Sequence, residues 1–263
     1  MKERRDLDLV ETTYRLPGAP SIALLADLHN RPYSLVVSSL QRHKPSVICV
    51  AGDVVYGTRP KDDVSPLESQ ENVLPFLRDC ASIAPSFLSL GNHEWALDDV
   101  DLHTIRETGV TVLDNEWQRI KINGKELIIG GLTSAAVLDY RSYKKTGTER
   151  YPEVVSPVKK SQPDISWLSD FCSVSGYKII LSHHPEYWPR ISSQSLDLCL
   201  SAHCHGGQWR FLGRGVFAPG QGWWPKYSKG VYEGRLVISA GLSNTARVPR
   251  LFNPTEVVYI EAK

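Results

Sequence analysis

Short apolar runs that each end in a potential metal ligand constrain this chain more than anything else in it. LLADLHN closes on Asp27 and His29, VICVAGDV on Asp53, and SFLSLGNHE on Asn92. KIILSHHP closes on His183, and DLCLSAHCHGG on His203 and His205. Continuous apolar runs of this length are typical of strands covered on both faces. Loops at the carboxyl ends of parallel strands gather into a common crevice. Seven residues scattered in sequence therefore meet in space if these strands lie parallel in one sheet.

Helical patterns separate the first runs. Tyr33–His43 is expected to be a helix with Leu35, Val36 and Leu40 on one side. A second helix is expected over Ser69–Ile83, with Pro75 kinking it or moving its start. A third is expected over Asp98–Thr108, with acidic residues in its first turn. Residues 57–67 read as a loop. Beyond them Val110–Leu113, Gln118–Ile122 and Glu126–Gly130 read as strands, the last two joined by the hairpin signal Asn123-Gly124. Residues 139–163 show little periodicity and are expected to run over the surface. Asp164–Cys172 reads as a helix. Lys178–Ser182, Leu196–Ser201, Leu236–Ala240 and Val257–Ile260 read as strands, with a Gly- and Trp-rich structured loop over 206–234. The pattern implies a layered α/β protein of two facing sheets with helices outside. No boundary divides it, so one domain over residues 1–263 is expected.

Charge narrows the partners. The formal net charge is +1, which gives no global footprint for nucleic acid or anionic membrane. Residues 1–131 hold 14 Lys/Arg and 19 Asp/Glu, whereas residues 132–263 hold 16 and 10, so the second half suits an anionic ligand. Five cysteines without a CxxC read as free thiols in a reducing compartment. Cys204, between two candidate ligands, is expected to point away from them. The opening MKERRDLDLVE lacks an apolar h-region, and no run approaches the ~20 apolar residues of a membrane span. A cytoplasmic protein, at most bound to a membrane surface, is the expectation.

Imidazoles, carboxylates and an amide oxygen form a mixed N/O donor set suited to Mn²⁺, Fe or Zn²⁺. Seven groups exceed the needs of one tetrahedral ion but suit two divalent ions that share a carboxylate. Such a pair clamps the attacking and leaving oxygens of an in-line displacement, and lowers the pKa of water from about 15.7 toward about 7. Phosphoester hydrolysis follows from that chemistry.

Asp27-Leu28-His29, Gly52-Asp53, Gly91-Asn92-His93-Glu94, His183 and His203-Cys204-His205 resemble, in order, the five blocks of the calcineurin-like metallophosphoesterases. The resemblance runs from about residue 20 to the C-terminus. His203-Cys204-His205-Gly206-Gly207-Gln208 looks like an HGGQ-bearing bacterial branch that includes cell-envelope and lipid-related phosphoesterases. It implies a four-layer α/β/β/α sandwich of two mixed sheets flanked by helices. It also implies one metal, Mn²⁺ first among the three, on Asp27, His29, Asp53 and His205. A second would sit on Asp53, Asn92, His183 and His203. His93 would serve the leaving group as a catalytic residue. Ala202 stands where the family has Gly, which is unwelcome if that backbone needs positive φ. The Arg that follows Gly-Asp in the protein-phosphatase branch is missing here, which disfavours that activity.

Three further residues are candidates for substrate binding: Arg31 just past the first block, His184 as a pocket neighbour of His183, and Arg210. Arg190, Arg214 and Lys226 are alternative anion holders. Glu94 is expected to stand behind the ligands or to start a helix rather than bind metal, and His43 and His103 to be surface residues. Trp188, Trp209, Trp223, Trp224, Tyr187 and Tyr227 either form an aromatic rim or simply order a large loop. The expected substrate is a small-molecule or lipid-linked phosphodiester, pyrophosphate or phosphomonoester, with peripheral membrane contact allowed. A nuclease and a non-catalytic scaffold are the alternatives.

Overall fold

The computed structural model describes residues 9–57, 65–146, 162–245 and 248–263. The first part of the chain runs β1 (Leu9–Leu16), β2 (Ile22–Leu25), α1 (Ser34–His43), β3 (Val47–Val50), α2 (Val73–Ile83), β4 (Ser86–Ser89), α3 (Asp99–Arg106) and β5 (Thr111–Leu113). Next come β6 (Glu116–Ile122), β7 (Lys125–Leu132), α4 (Ala135–Thr146), α5 (Leu168–Ser173), β8 (Tyr177–Ser182), α6 (Trp188–Ile191) and β9 (Leu198–Ser201). Four two-residue strands follow: β10 (Arg210–Phe211), β11 (Arg214–Gly215), β12 (Phe217–Ala218) and β13 (Gly222–Trp223). The chain ends with β14 (Gly230–Tyr232), β15 (Leu236–Ile238) and β16 (Thr255–Ala262).

Two mixed six-stranded sheets result, ordered β1-β16-β2-β3-β4-β5 and β14-β15-β9-β8-β7-β6. Strands β2 to β5 are parallel in the first sheet, and β15, β9, β8 and β7 in the second. Alternation along each apolar run explains the layering. Ile22 and Leu24 face the second sheet, packing in one core with Ile129, Ile179, Leu181 and Leu200. Ala23 and Leu25 face outward into a core with Val36, Leu40, Phe76 and Leu77 of α1 and α2. On the far side, Ile128 and Ile180 pack with Phe171 of α5 and Trp188 of α6. These three cores lie between four layers, α/β/β/α.

Local chemistry sets the element ends. Asp98 accepts N–H bonds from Val100 and Asp101, and Asp101 accepts one from Asp98, a capping box that starts α3. Pro75 moves the start of the second helix rather than kinking it: α2 begins at Val73, so the proline sits in the first turn, where no intrahelical N–H is needed. Asn123 and Gly124 have φ of 50° and 81°, and form the two-residue turn between Ile122 and Lys125.

Some expectations are corrected. Leu35 is 56% exposed, because the buried stripe of α1 is Val36, Ser39 and Leu40, spaced three and four apart. The surface excursion expected from 139 is not found over 139–146, which belong to α4, where Val137 and Tyr140 are buried; residues 147–161 lie outside the described residues. Likewise 58–64 of the expected 57–67 loop are not described. The helix expected over Asp164–Cys172 starts only at Leu168. Strand β1 was not expected, because at a sheet edge its exposed positions carry polar residues such as Glu11 and Thr13. Among the described residues no helix is long and apolar enough to cross a membrane.

Candidate metal centre

The seven expected ligands do not come from one sheet. Asp27 and His29 follow β2, Asp53 follows β3 and Asn92 follows β4 in the first sheet; His183 follows β8, and His203 and His205 follow β9 in the second. The two sheets present the carboxyl ends of these strands at one edge, so the loops interlock. His183 Nδ1 lies 2.7 Å from Ala51 O, a bond from the second sheet to the first.

Distances show the convergence. Asp27 Oδ1 lies 3.6 Å from His29 Nε2 and 3.8 Å from both His183 Nε2 and His205 Nε2. Asp53 Oδ2 lies 3.0 Å from His183 Nε2 and 3.8 Å from His29 Nε2. Within 4.8 Å of one another are donor atoms of Asp27, His29 and His205, and separately those of Asp53, His183 and His203. Asp53 therefore stands between the two groups. Cys204 belongs to neither; Gln221 Nε2 donates to its thiol.

Backbone strain is concentrated here. Asp27, His29, Asp53, His203 and His205 have φ between 43° and 64°. Such left-handed residues cost about 1–2 kcal/mol each. Interlocking bonds hold them: Asp27 N–H to Gly52 O, His29 N–H to Asp53 O and Asn30 N–H to Val54 O, at 3.0–3.1 Å. Ala202 is not among the positive-φ residues, so its substitution for glycine carries no strain. Glycine is required elsewhere. A Cβ on Gly91 would lie 2.2 Å from Asp53 Oδ1, and one on Gly52 would lie 2.6 Å from Gly91 N.

Glu94 supports these loops. Its buried carboxylate accepts the N–H groups of Asp53, Val54, Val55 and Gly91 at 2.7–3.3 Å. It ties the loop after β3 to the loop after β4.

Hydrogen bonds at Nδ1 set the histidine tautomers. His183 Nδ1 donates to Ala51 O and His29 Nδ1 to Val55 O at 3.2 Å, so each turns its Nε2 inward. His93 is the reverse: its Nδ1 accepts from Gly57 N–H at 2.9 Å, so Nε2 carries the proton, 3.9 Å from Asp53 Oδ2. His205 differs again, because the Arg250 guanidinium can only donate and lies 3.0 Å from His205 Nδ1. Ligation through His205 Nε2 requires that bond to be released; Arg250 keeps a second one to Ser243 O.

Charge and burial act together. Burial opposes ionisation of Asp27, but His205, His29 and His183 outweigh it and hold the carboxyl well below its usual range. Asp53 is held down likewise, chiefly by His183. Burial pulls His183 down, yet the Asp53 and Asp27 carboxylates push it up to about 10. Burial lowers His203 to about 3 and His205 to about 4. His203 and His205, neutral beside ionised carboxylates, suit a cation, and His183 would give up to it the proton that Asp53 and Asp27 favour.

The decisive observation is which buried atoms lack partners. Among the described residues eleven buried side-chain polar atoms lack a hydrogen bond, and five of them are Asp27 Oδ1 and Oδ2, His29 Nε2, Asn92 Oδ1 and His183 Nε2; Glu186 Oε2 and two Arg250 nitrogens are among the others. Orphaned buried polar groups are costly and rare in folded proteins. These five belong to four of the expected ligands, so the residues fit a bound metal.

A sequence profile described as calcineurin-like phosphoesterase matches residues 20–207. The chain belongs to that family. The domain is accordingly that of a metal-dependent phosphoester hydrolase. An uncharacterized metallophosphoesterase of Aquifex aeolicus is 25% identical over 95% of this chain and 88% of its own length. One from Campylobacter jejuni is 24% identical over 99% of this chain, which spans only 60% of that relative. The phosphodiesterase YaeI of Escherichia coli is 26% identical over 72% of this chain and 62% of its own. Among solved structures, a dimetal phosphatase from Danio rerio aligns with TM-score 0.53 and 12% identity, covering 86% of this chain and 89% of that one.

The remaining expected residues separate. Arg31 lines a cleft of about 290 Å³ together with His29, Asn30, Tyr56, Ser69 and Gln70. His184 lies beside the centre, its Nε2 2.8 Å from Ser134 Oγ and its ring centroid 4.2 Å from that of His203. Arg210 braces the loop instead, donating to Gly206 O at 2.7 Å and to Gly213 O. The expected aromatic rim divides: Trp188 and Tyr227 are buried core residues, whereas Trp209, Trp223 and Trp224 are exposed. His43 pairs with Glu11 near the surface, and His103 lies 3.6 Å from Glu107 on an exposed helix face. Sequence reasoning missed Arg250 and Glu186, the latter 3.8 Å from His203 Nε2, because neither closes an apolar run.

Proposed function

We propose that the chain hydrolyses a phosphodiester, pyrophosphate or phosphomonoester of a small or lipid-linked molecule, with two divalent ions held by the seven residues above. Asp27, His29, Asp53 and His205 would hold one ion, and Asp53, Asn92, His183 and His203 the other. Mn²⁺ is the metal proposed first, and Fe and Zn²⁺ suit the same donors. The carrying observation is the set of unpartnered ligand atoms at one buried point. Bound ions of this kind acidify water and neutralise phosphoryl charge.

The chain's own groups do the rest. Ala51 O and Val55 O orient His183 and His29 so that their Nε2 atoms face Asp53 and Asp27. Glu94 fixes the backbone that carries Asp53. His93 is catalytic: with its proton on Nε2, it donates to a phosphoryl oxygen or to the departing oxygen. Arg31, in the cleft beside His29, and His184, beside His203, contact the rest of the substrate.

Metal analysis of freshly purified protein, with hydrolysis of bis(p-nitrophenyl) phosphate in Mn²⁺, tests this. Wild type should carry close to two ions per chain, and Asp53→Asn should lose metal and activity together. Unchanged hydrolysis by His205→Ala at saturating Mn²⁺ would overturn the assignment. A substrate panel that responds only to phosphomonoesters would remove the diester and pyrophosphate classes.

A further inference from the structure

Among the described residues, twelve large apolar side chains are exposed, and nine of them lie in two short segments, 209–224 and 248–252. Single exposed apolar residues are ordinary, but a concentrated patch marks an interaction surface. Leu212 and Phe252 are each 88% exposed, Trp223 68% and Trp224 67%.

The two segments form one surface. Arg210 N–H donates to Leu251 O at 3.0 Å, and Trp209 Nε1–H to Pro249 O at 3.0 Å. Val216 N–H bonds Trp209 O, and Trp224 N–H bonds Val216 O, joining the β10–β11 and β12–β13 ribbons. Phe217 and Trp223 pair across the second ribbon with ring centroids 5.5 Å apart. At the turn of the first ribbon a Cβ on Gly213 would meet nothing within 4 Å, so that tip projects into open space, whereas the second ribbon's turn at Gly220 packs against Glu186.

Its charge is one-sided. Residues 206–232 contain Arg210, Arg214, Lys226 and Lys229 but no Asp or Glu, in a chain whose net charge is +1. Lys229 pairs with Glu256 and Arg210 braces its loop, which leaves Arg214 and Lys226 exposed among the aromatics.

We propose that this surface docks onto an anionic lipid bilayer. Phe211, Leu212, Trp223, Trp224 and Phe252 enter the boundary between headgroups and acyl chains, while Arg214 and Lys226 meet anionic headgroups. Tryptophan favours that boundary, and a projecting tip with exposed aromatics and cations beside it suits it better than a concave partner site. A second copy fits poorly, because a two-fold contact would set like charge against like. The surface is rooted at the metal centre: a Cβ on Gly220 would lie 2.4 Å from Glu186 Oε1 and 3.8 Å from His203 Nε2. Docking therefore brings the centre to headgroup phosphoesters, a consequence that rests on the proposed function; the docking itself does not.

Vesicle flotation tests it, using phosphatidylcholine with and without phosphatidylglycerol. The protein should float with the anionic vesicles and lose binding as salt rises. Trp223→Ser with Trp224→Ser should weaken partition roughly tenfold or more, and Arg214→Glu or Lys226→Glu should weaken it at least about fivefold. Both sets should keep wild-type circular dichroism and hydrolysis of bis(p-nitrophenyl) phosphate. Absence of that hydrolysis in wild type would overturn the metal-centre reading and leave docking intact. Failure to bind anionic vesicles, or equal binding by the variants, would overturn docking. So would a dimer that the tryptophan variants dissolve, or capture of an acidic protein with no vesicle binding.

Discussion

The loops that carry the candidate ligands and the ribbons that follow His205 lie side by side and are built on opposite rules. The ligand loops are short, almost wholly buried, and crossed by bonds between neighbouring loops, as from Asp27 N–H to Gly52 O. They tolerate five left-handed residues because the surrounding backbone over-determines them. The ribbons of 209–224 place two-residue strands around glycine turns and leave tryptophans in solvent. Chemistry needs fixed atoms, and a docking surface needs reach. Strand ends anchor the first region, whereas the second is held by ribbon pairing and by a few bonds to 249–251, such as Arg210 N–H to Leu251 O.

The sharpest way to break this comparison is Asp53→Asn, which removes the shared carboxylate and should lower kcat/KM by about 10³-fold or more, about 4 kcal/mol. An equal loss from Trp223→Ser with Trp224→Ser on the same soluble diester would erase the distinction between the regions. Next comes Gly52→Ala, where the new Cβ would meet the backbone of Gly91 at 2.6 Å with φ at 82°. It should cost roughly 3 kcal/mol of stability, read as a lowered Tm, together with bound metal. Gly213→Ala has open space around it and only its φ of 78° to strain it, so its Tm should fall by less. His93→Asn should lower kcat by about 10²-fold while bound metal stays at the wild-type level; lost metal would make His93 structural.

The smallest effect lies away from both regions. Bonds from Ser39 and His43 and the Arg42 guanidinium lower Glu11 to about 2. A depressed carboxyl stabilises the fold above its unfolded pKa, near 4.5, and loses that contribution as pH falls toward 2. Glu11→Gln should therefore lower Tm slightly at neutral pH, and the gap from wild type should close below pH ~4. A constant gap would mean that the carboxylate charge contributes nothing.

Much of the fold was legible because buried strands announce themselves. Ile22–Leu25, Val47–Val50 and Ser86–Ser89 are apolar or small on both faces, and each is followed by the residue that matters. Strand β1 was hidden because an edge strand exposes one side of its alternation. Leu35 misled because it is apolar but lies one residue off the buried stripe of α1. Arg250 was invisible: a single Arg in a loop looks solvated, and only the fold buries it to 7% exposure against His205. The aromatic cluster could not be divided in sequence either, since Trp188 and Trp223 differ in environment rather than in type.

The amino-acid order alone determined the candidate ligand types, their place at strand ends and the family resemblance, because period-two burial and abrupt polar endings are local properties. Tertiary structure decided that two sheets share the centre, that His93 keeps its proton on Nε2 while His29 and His183 turn theirs outward, and that tryptophans crowd one basic face. Those outcomes depend on partners far apart in the chain, such as Ala51 for His183 and Leu251 for Arg210, and only packing brings such partners within bonding distance.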